Sequence, residues 1–155
     1  MTPIPDYVPG HQLLAGRSVL ITAAAGAGIG FAAATRALEE GCRALMISDI
    51  HAKRLDAAVA TLRREHGVDH VWGQLCNVAV ESEVQALVAA AEERLGGIDV
   101  LINNAGLGTE KKLVDMTDDE WHKVLDVSLT GTFRMIRAVL PHMQRRGRGA
   151  IVNNA

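Results

Sequence analysis

Apolar and amphipathic segments alternate along the chain, and this alternation predicts the fold class. Short apolar runs, the predicted strands, occupy residues 18–22, 44–48, 71–76, 99–103 and 149–153. Between them, apolar side chains recur every three or four residues, as on one face of a helix, over residues 29–40, 52–62, 81–95 and 117–143. Strands that alternate with helices through short links indicate parallel βαβ units. We expect an α/β fold with a doubly wound parallel sheet, covered by helices on both faces, and ligands at the carboxyl ends of its strands.

Individual residues mark the ends of several predicted helices. Gly41 follows the first helix, at a position where glycine commonly ends helices. Thr117 and Glu120 have the spacing of a capping box, with Thr117 as the N-cap of the last helix. That helix is long, and we expect Pro141 to bend it or to begin its last turn.

Composition and charge narrow the class of protein. The 155 residues, 48% of them hydrophobic, suit one domain with a substantial core. Residues 1–16 are rich in proline and glycine, so we expect an extended surface leader before a domain at residues 17–155. A net charge of −2 with both signs interspersed gives no support for nucleic acid or an acidic membrane as a partner. No apolar run approaches the ~18–20 residues of a membrane span, and the opening residues lack the features of a signal peptide.

The cysteines and histidines give no sign of a disulfide or a metal site. Cys42 and Cys76 are isolated on predicted apolar elements, which favours buried, reduced thiols in a cytoplasmic protein. The six histidines lack the short spacings of metal ligands. We therefore expect a cytoplasmic protein that binds no metal.

A glycine-rich segment, TAAAGAGIG at residues 22–30, joins the first strand to the first helix. The first strand ends at Thr22. In the turn that follows, Gly26, Gly28 and Gly30 have no side chains to block a pyrophosphate from approaching the backbone. The helix that begins at Ile29 supplies free N–H groups and the positive end of its dipole. Because glycine also serves ordinary tight turns, the segment by itself leaves that alternative open.

Asp49 ends the second strand, 19 residues beyond Gly30. This is the spacing at which an acidic residue accepts hydrogen bonds from the adenosine ribose of a dinucleotide. A carboxylate here repels a 2′-phosphate, which favours NAD over NADP, although NADP remains possible because Lys53 or Arg54 could turn towards a phosphate. The alternative role for Asp49 is an ordinary helix N-cap.

Polar residues also follow the third and fourth strands. The amide of Asn77 can donate to and accept from an adenine edge, and Val78 can pack on the ring; the alternative is a polar loop. The segment NNAG at residues 103–106 places two amides and two small residues at the end of the fourth strand. These residues can lock neighbouring loops and leave room for a flat ring, or they can form a simple turn. Four such sites after four successive strands favour a single binding edge.

These motifs together resemble the short-chain dehydrogenase/reductase family. The resemblance runs from about Arg17 to the last residue and rests on TAAAGAGIG, Asp49, NNAG, VSLTGTF at residues 127–133 and IVNNA at residues 151–155. It implies a Rossmann-type sheet, here truncated after its fifth strand, in an NAD(P)-dependent oxidoreductase that is usually a cytosolic dimer or tetramer. The turn, the SD-x-H segment at residues 48–51 and the run from Asp115 to Thr130 are also similar to actinobacterial reductases of steroid-ring breakdown. Those enzymes act on bicyclic hydroxy/keto acyl-CoA intermediates.

The resemblance assigns expected roles to residues and also reveals departures. It implies cofactor contacts at Thr22, Gly26, Gly28, Ile29, Gly30, Asp49, Asn77, Val78, Asn104, Ala105 and Gly106. Ala23 stands where the family has glycine and the turn holds one extra residue, so we expect Gly26 to supply the missing flexibility. Asn77 replaces an aspartate on the adenine side. Ser128 replaces a helix asparagine that helps to hold a proton-relay water, so Ser128 is a candidate catalytic residue.

The family's catalytic Ser, Tyr and Lys have no counterpart in the chain. By the resemblance, Ser would follow Ala155 and Tyr-x-x-x-Lys would come later, with Tyr as general acid/base; the only tyrosine here is Tyr7, followed at the fourth position by His11. We therefore expect the cofactor-binding part of an oxidoreductase that interconverts a secondary alcohol and a ketone, inactive by itself. A complete, non-catalytic dinucleotide-binding or partner-binding module is the alternative.

Overall fold

The computed structural model describes residues 6–154, and its centre is a parallel sheet of five strands. In chain order the strands are β1 (Ser18–Ile21), β2 (Ala44–Asp49), β3 (Val71–Leu75), β4 (Val100–Asn103) and β5 (Ala150–Asn153). Their order across the sheet is β3-β2-β1-β4-β5, and every neighbouring pair is parallel. The predicted α/β class, with a Rossmann-type parallel sheet, is confirmed.

Five α-helices connect and cover the strands. They are α1 (Ile29–Glu39), α2 (Ala52–His66), α3 (Glu81–Leu95), α4 (Asp118–Leu125) and α5 (Gly131–Arg146). A short 3₁₀ turn spans Leu113–Asp115, before α4. Within residues 6–154, no helix is both long and apolar enough to cross a bilayer.

The last predicted helix is divided into two. A π-helical turn, Asp126–Thr130, lies between α4 and α5, so the expected single helix over residues 117–143 is wrong in detail. The capping box is confirmed, because the Thr117 hydroxyl accepts from the Glu120 N–H and the Glu120 carboxylate accepts from the Thr117 N–H. Pro141 lies inside α5, which continues to Arg146, and the expected bend at Pro141 stays a prediction.

Alternate side chains of the central strands pack into two separate hydrophobic cores, one on each face of the sheet. Leu20 belongs to the core beneath α3 and α5, whereas Val19 and Ile21 belong to the core beneath α1 and α2. All three side chains are fully buried. Burial of each such side chain contributes about 1.5–3 kcal/mol, which explains why the strands are apolar on both faces.

The amino edge of the sheet is held by a buried carboxylate. Asp99 accepts hydrogen bonds from the Ser18 backbone N–H at 3.2 Å and from Arg148 Nε at 3.0 Å. Burial raises the pKa of Asp99, but the bonds from Ser18 and Arg148 outweigh it, and the pKa is lowered overall. A groove of about 310 Å³ opens at this edge, lined by side chains that include Arg17 and Arg148.

The described part of the leader is anchored to the carboxyl end of α1. The Glu40 carboxylate accepts hydrogen bonds from the backbone N–H groups of His11 at 2.8 Å and Leu13 at 3.0 Å. Arg36 pairs with the same carboxylate and donates to the Val8 carbonyl at 2.6 Å. The bond from Leu13, opposed by burial and reinforced by His11 and Arg36, lowers the pKa of Glu40.

We predict that acid releases this leader. Because the folded-state pKa of Glu40 is lowered, its stabilising effect is complete above the ordinary glutamate pKa and disappears as pH falls through the folded value. Hydrogen-exchange protection of the His11 and Leu13 amides should fall over that range. In Glu40→Gln, protection should be about tenfold lower than in the wild type above the ordinary glutamate pKa, and it should not change as pH falls through the acid range, where the two proteins converge. Glu93→Gln, at an exposed position of α3, is the control and should match the wild type; equal protection in Glu40→Gln would contradict the prediction.

Candidate functional site

The candidate site lies at the carboxyl edge of the sheet, where the strand order reverses. The central strand β1 has β2 on one side and β4 on the other. The chain therefore leaves the neighbouring strands β1 and β4 towards opposite faces, and a crevice opens between their ends. The glycine-rich turn after β1, residues 22–28, and the NNAG segment after β4 form the two sides of this crevice.

Hydrogen bonds tie these two segments together in an arrangement that we call the interlock. The Thr22 hydroxyl accepts from the backbone N–H groups of Asn104 and Ala105, both at 3.0 Å. In return, Asn104 Nδ2 donates to the carbonyls of Thr22 and Ala23 at 3.2 and 3.0 Å. Asn154 Nδ2 donates to Asn104 Oδ1 at 2.9 Å and extends the interlock to the end of β5.

Three glycines of the turn differ in what surrounds them. A Cβ on Gly30 would lie 2.5 Å from Asn104 Nδ2 and 2.6 Å from the Ala23 carbonyl oxygen, so α1 packs directly against the interlock. A Cβ on Gly28 would meet no atom within 4 Å, and one on Gly26 would meet only the Gly28 nitrogen at 4.0 Å. Gly26 and Gly28 therefore leave open space in front of the backbone at the start of α1.

The N-terminus of α1 has the features of an anion site. No side chain of the described residues caps its first turn, and that turn contains no acidic residue. Ile29, its first residue, is 70% exposed. Among the described residues no side chain caps the positive end of this helix dipole, and open space lies beside Gly28, an arrangement that suits an anion such as a pyrophosphate.

The residue of the turn that adopts a left-handed backbone conformation is Ala23 and not Gly26. Ala23 has a φ of +52°, in the left-handed region, whereas Gly26 is not among the glycines with positive φ. The expectation that Gly26 supplies the missing flexibility is therefore wrong. A non-glycine residue in this conformation costs roughly 1–2 kcal/mol, and the bond from Asn104 to the Ala23 carbonyl helps to hold it there.

Asp49 lies at the end of β2, beside the turn, with its carboxylate only 8% exposed. Its Oδ2 accepts from the Ala25 N–H at 3.3 Å, and its Oδ1 accepts from the His51 N–H at 3.0 Å. Arg54 Nη2 also lies 3.3 Å from Oδ1. His51, and not Asp49, is the N-cap of α2, so the alternative N-cap role for Asp49 is wrong.

A cavity of about 460 Å³ opens in front of these strand ends. It brings together five of the predicted site residues, which are Asp49, Asn77, Val78, Ala105 and Gly106. A second groove of about 510 Å³ runs past Gly26 along the turn, and Arg54 borders both spaces. The other predicted site residues line neither space: Thr22 and Asn104 lie in the interlock with Gly30 packed against it, and Gly28 and Ile29 lie at the start of α1.

Asn77 and Val78 form the wall at the β3 end of the cavity. Asn77 Oδ1 accepts from the Ala79 N–H at 3.0 Å, which fixes the turn before α3. Among the described residues the Asn77 side-chain NH₂ has no partner, so it remains available to a ligand. Val78 is buried, and a Cβ on Gly131 would lie 2.6 Å from its Cγ2, so only a glycine lets α5 approach this wall.

Ser128 lies in the π-helical turn and holds the loop after NNAG. Its hydroxyl accepts from the Leu107 N–H at 3.0 Å and donates to the Leu107 carbonyl at 3.3 Å. One acceptor position of the hydroxyl remains. Single π turns are frequent at functional sites, and this one places Ser128 beside the cavity rim at Leu107. The proton-relay role of Ser128 stays a prediction.

Neither cysteine has the properties of a nucleophile. Both Cys42 and Cys76 are buried and unpaired. Burial raises the pKa of the Cys76 thiol, which borders the cavity, to about 12, and that of the Cys42 thiol to about 11. Both thiols therefore stay protonated at neutral pH.

Sequence reasoning missed several residues of the cavity. Lys123 of α4 and Val127 of the π-helical turn line it, although their helical pattern predicted only a packed helix. Ile50, next to Asp49, lines it as well. Asn154 joins the interlock, and its only signal was its place in the closing IVNNA motif.

A parallel sheet with a glycine-rich turn after its first strand and an acidic residue at the end of its second strand is the arrangement typical of dinucleotide-binding folds. A family model described as short chain dehydrogenase matches residues 17–155, and the chain belongs to this family of NAD(P)-dependent oxidoreductases. The chain is 48% identical to a Mycobacterium tuberculosis (strain ATCC 25618 / H37Rv) protein over 97% of this chain and 57% of that one. That protein is named (5R,7aS)-5-hydroxy-7a-methyl-1-oxo-2,3,5,6,7,7a-hexahydro-1H-indene-carboxyl-CoA reductase.

Solved structures give the same family. A short chain dehydrogenase from Mycobacterium smegmatis superposes with a TM-score of 0.90 and 46% identity, over 99% of this chain and 62% of that one. An NAD⁺-bound xylitol dehydrogenase superposes with a TM-score of 0.85 and 35% identity, over 92% of this chain and 54% of that one. A Burkholderia cenocepacia gluconate 5-dehydrogenase in complex with NADP and tartrate superposes with a TM-score of 0.81 and 34% identity, over 90% of this chain and 53% of that one. The chain spans about half the length of the relatives it matches.

We predict that alanine at Gly30 and at Gly28 will have very different effects on stability. At Gly30 the added Cβ overlaps backbone atoms and Asn104, so Gly30→Ala should lower the free energy of unfolding by about 2–3 kcal/mol. Gly28→Ala is the matched control: its Cβ enters open space, and the cost should stay below about 1 kcal/mol. Urea unfolding measures the free energy of unfolding of both variants. Equal decreases in the two variants would contradict the packing of α1 against the interlock.

Proposed function

We propose that the protein is the cofactor-binding part of an NAD-preferring oxidoreductase that interconverts a secondary alcohol and a ketone. The observation that carries this proposal is the position of Asp49, a nearly buried carboxylate on the wall of the cavity and next to the glycine-rich turn. An acidic residue at this point accepts hydrogen bonds from adenosine ribose hydroxyls and repels a 2′-phosphate. NAD is therefore the favoured cofactor, and NADP is the weaker one.

Each part of the candidate site suits one part of a dinucleotide. The open backbone at Gly26 and Gly28, with the uncapped first turn of α1, would hold the pyrophosphate. Asn77 and Val78 would contact the adenine through an amide donor and an apolar surface. Ala105 and Gly106 are small and leave room for a flat ring.

A bound nicotinamide cofactor would supply the hydride donor or acceptor. The chain's own residues would position it: the interlock of Thr22 and Asn104 fixes the two walls, and Ser128 fixes the Leu107 loop. We propose that Ser128 orders a relay water with its remaining acceptor position. We propose that the Ser, Tyr and Lys that act on the carbonyl in this family have no counterpart among these 155 residues. We expect the 155 residues to bind the dinucleotide without turning over substrate.

For the substrate we propose a cyclic ketone or alcohol carried on a CoA thioester. The support is the M. tuberculosis relative, whose name describes reduction of a bicyclic carboxyl-CoA compound. The protein as a whole would act as a homodimer or homotetramer in the cytoplasm, where its buried, unpaired Cys42 and Cys76 would stay reduced.

We predict that Asp49→Asn will reduce the preference for NAD⁺ over NADP⁺ by about tenfold, because the neutral amide no longer repels a 2′-phosphate and accepts ribose hydroxyls less well. Isothermal titration of both nucleotides measures the preference. Asp56→Asn, at an exposed position of α2, removes the same charge away from the cavity and should leave the preference unchanged. The same preference in Asp49→Asn and the wild type would contradict the role of Asp49. Absence of binding of either nucleotide by the wild type would contradict the proposed function itself.

A further inference from the structure

The side-chain amide of Asn77 has one end bound to the chain and one end free for a ligand. Its Oδ1 accepts a hydrogen bond from the Ala79 N–H at 3.0 Å, two residues further along the chain. Asn77 lines the main cavity, whereas Ala79 does not. Because a backbone N–H requires an acceptor, this bond fixes which end of the amide is the oxygen. The NH₂ group is the end that remains for a ligand in the cavity.

The surrounding hydrogen bonds hold the amide in this orientation. The Asn77 backbone N–H donates to the Glu83 carboxylate at 2.8 Å, and the Asn77 carbonyl accepts from the Val80 N–H at 2.9 Å. With the bond from Ala79, they fix the turn between β3 and α3. Rotating the amide by half a turn would place its NH₂ against the Ala79 N–H, so that two donors face each other and a hydrogen bond is lost. The NH₂ group is therefore a fixed donor.

The other polar side chains of the cavity supply no acceptor for a base. Among the described residues that line the cavity, they are Asp49, Arg54, Cys76 and Lys123. Arg54 and Lys123 only donate hydrogen bonds, and the Cys76 thiol keeps its proton because burial raises its pKa to about 12. The Asp49 carboxylate is an acceptor, but the proposed site uses it for the ribose. A base beside Asn77 therefore meets a donor.

The two common 6-substituted purines respond differently to such a donor. Adenine carries an amino group at position 6, and this group cannot bond to the Asn77 NH₂ because both are donors. The ring nitrogens N1 and N7 of adenine are acceptors and can receive the bond instead. Hypoxanthine carries a carbonyl oxygen at position 6, which accepts directly. Both bases thus offer Asn77 an acceptor.

We propose that Asn77 recognises the base through an acceptor, either a ring nitrogen of adenine or the 6-oxo oxygen of hypoxanthine, and not through the adenine amino group. The inference rests on the proposed dinucleotide function and extends it to dinucleotides with a 6-oxopurine base. Asn77→Asp reverses this recognition. The carboxylate can still accept from the Ala79 N–H, and its other oxygen accepts from an adenine amino group but repels a 6-oxo oxygen.

The test is isothermal titration of NAD⁺ and nicotinamide hypoxanthine dinucleotide, which differ only in the base. The wild type should bind the two with dissociation constants within about threefold of each other, and Asn77→Asp should move their ratio about tenfold towards NAD⁺. The added negative charge weakens both ligands alike, because both carry the same pyrophosphate. The N1 proton of hypoxanthine is present in every titration, so it also cancels when the ratios of the two proteins are compared.

Gln144→Glu is the matched control. It makes the same change from amide to carboxylate at an exposed position of α5, outside the cavity. It should keep the wild-type ratio of the two dissociation constants. Circular dichroism checks that both variants are folded.

The outcomes separate this inference from the proposed function. An unchanged ratio in Asn77→Asp, in a protein that binds NAD⁺, overturns the role of Asn77 and leaves the dinucleotide function intact. A wild type that binds NAD⁺ more than about threefold more tightly than the analogue also overturns it, because the amino group would then be recognised. An equal change in Gln144→Glu overturns it as well, since the effect would belong to net charge. If the wild type binds neither dinucleotide, the proposed function fails and the inference fails with it.

Discussion

The hydroxyl of Thr22 holds the site together, because it accepts hydrogen bonds from two consecutive backbone amides, those of Asn104 and Ala105. Thr22 and Asn104 are 82 residues apart in the chain but end neighbouring strands of the sheet. With the return bonds from the Asn104 side chain, the glycine-rich turn and the NNAG segment become one rigid unit. The cavity walls are thus fixed before a ligand binds, which reduces the ordering cost of binding.

The fold and the position of the site follow from patterns that are local in the chain. Apolar runs separated by amphipathic segments are sufficient for a parallel α/β sheet, since short links allow few other topologies. Polar and small residues after four successive strands then necessarily meet at one edge, and the structure places Asp49, Asn77, Val78, Ala105 and Gly106 around one cavity there. The capping box at Thr117 is equally local, because it depends on two residues three positions apart.

Features that depend on contacts between distant segments could not be predicted. The π-helical turn at Asp126–Thr130 leaves the apolar period almost unchanged, yet it brings Ser128 to the Leu107 backbone. Ala23 adopts a positive φ that its own residue type disfavours, in contact with Asn104 from another strand end. The pairing of Arg54 with Asp49, rather than with solvent, depends likewise on how α2 leaves β2. In each case tertiary packing overrides local preference.

The central claim is that a dinucleotide binds at the carboxyl edge of this sheet, against the interlocked segments. Two-dimensional ¹H–¹⁵N NMR spectra of the protein titrated with NAD⁺ test it most directly, because each backbone amide reports on its own surroundings. The account predicts saturable shifts at residues 26–31, 49–51, 77–79 and 104–107, with the amino edge of the sheet unaffected. Spectra that do not change, or shifts confined to the groove at Arg17 and Arg148, would contradict it.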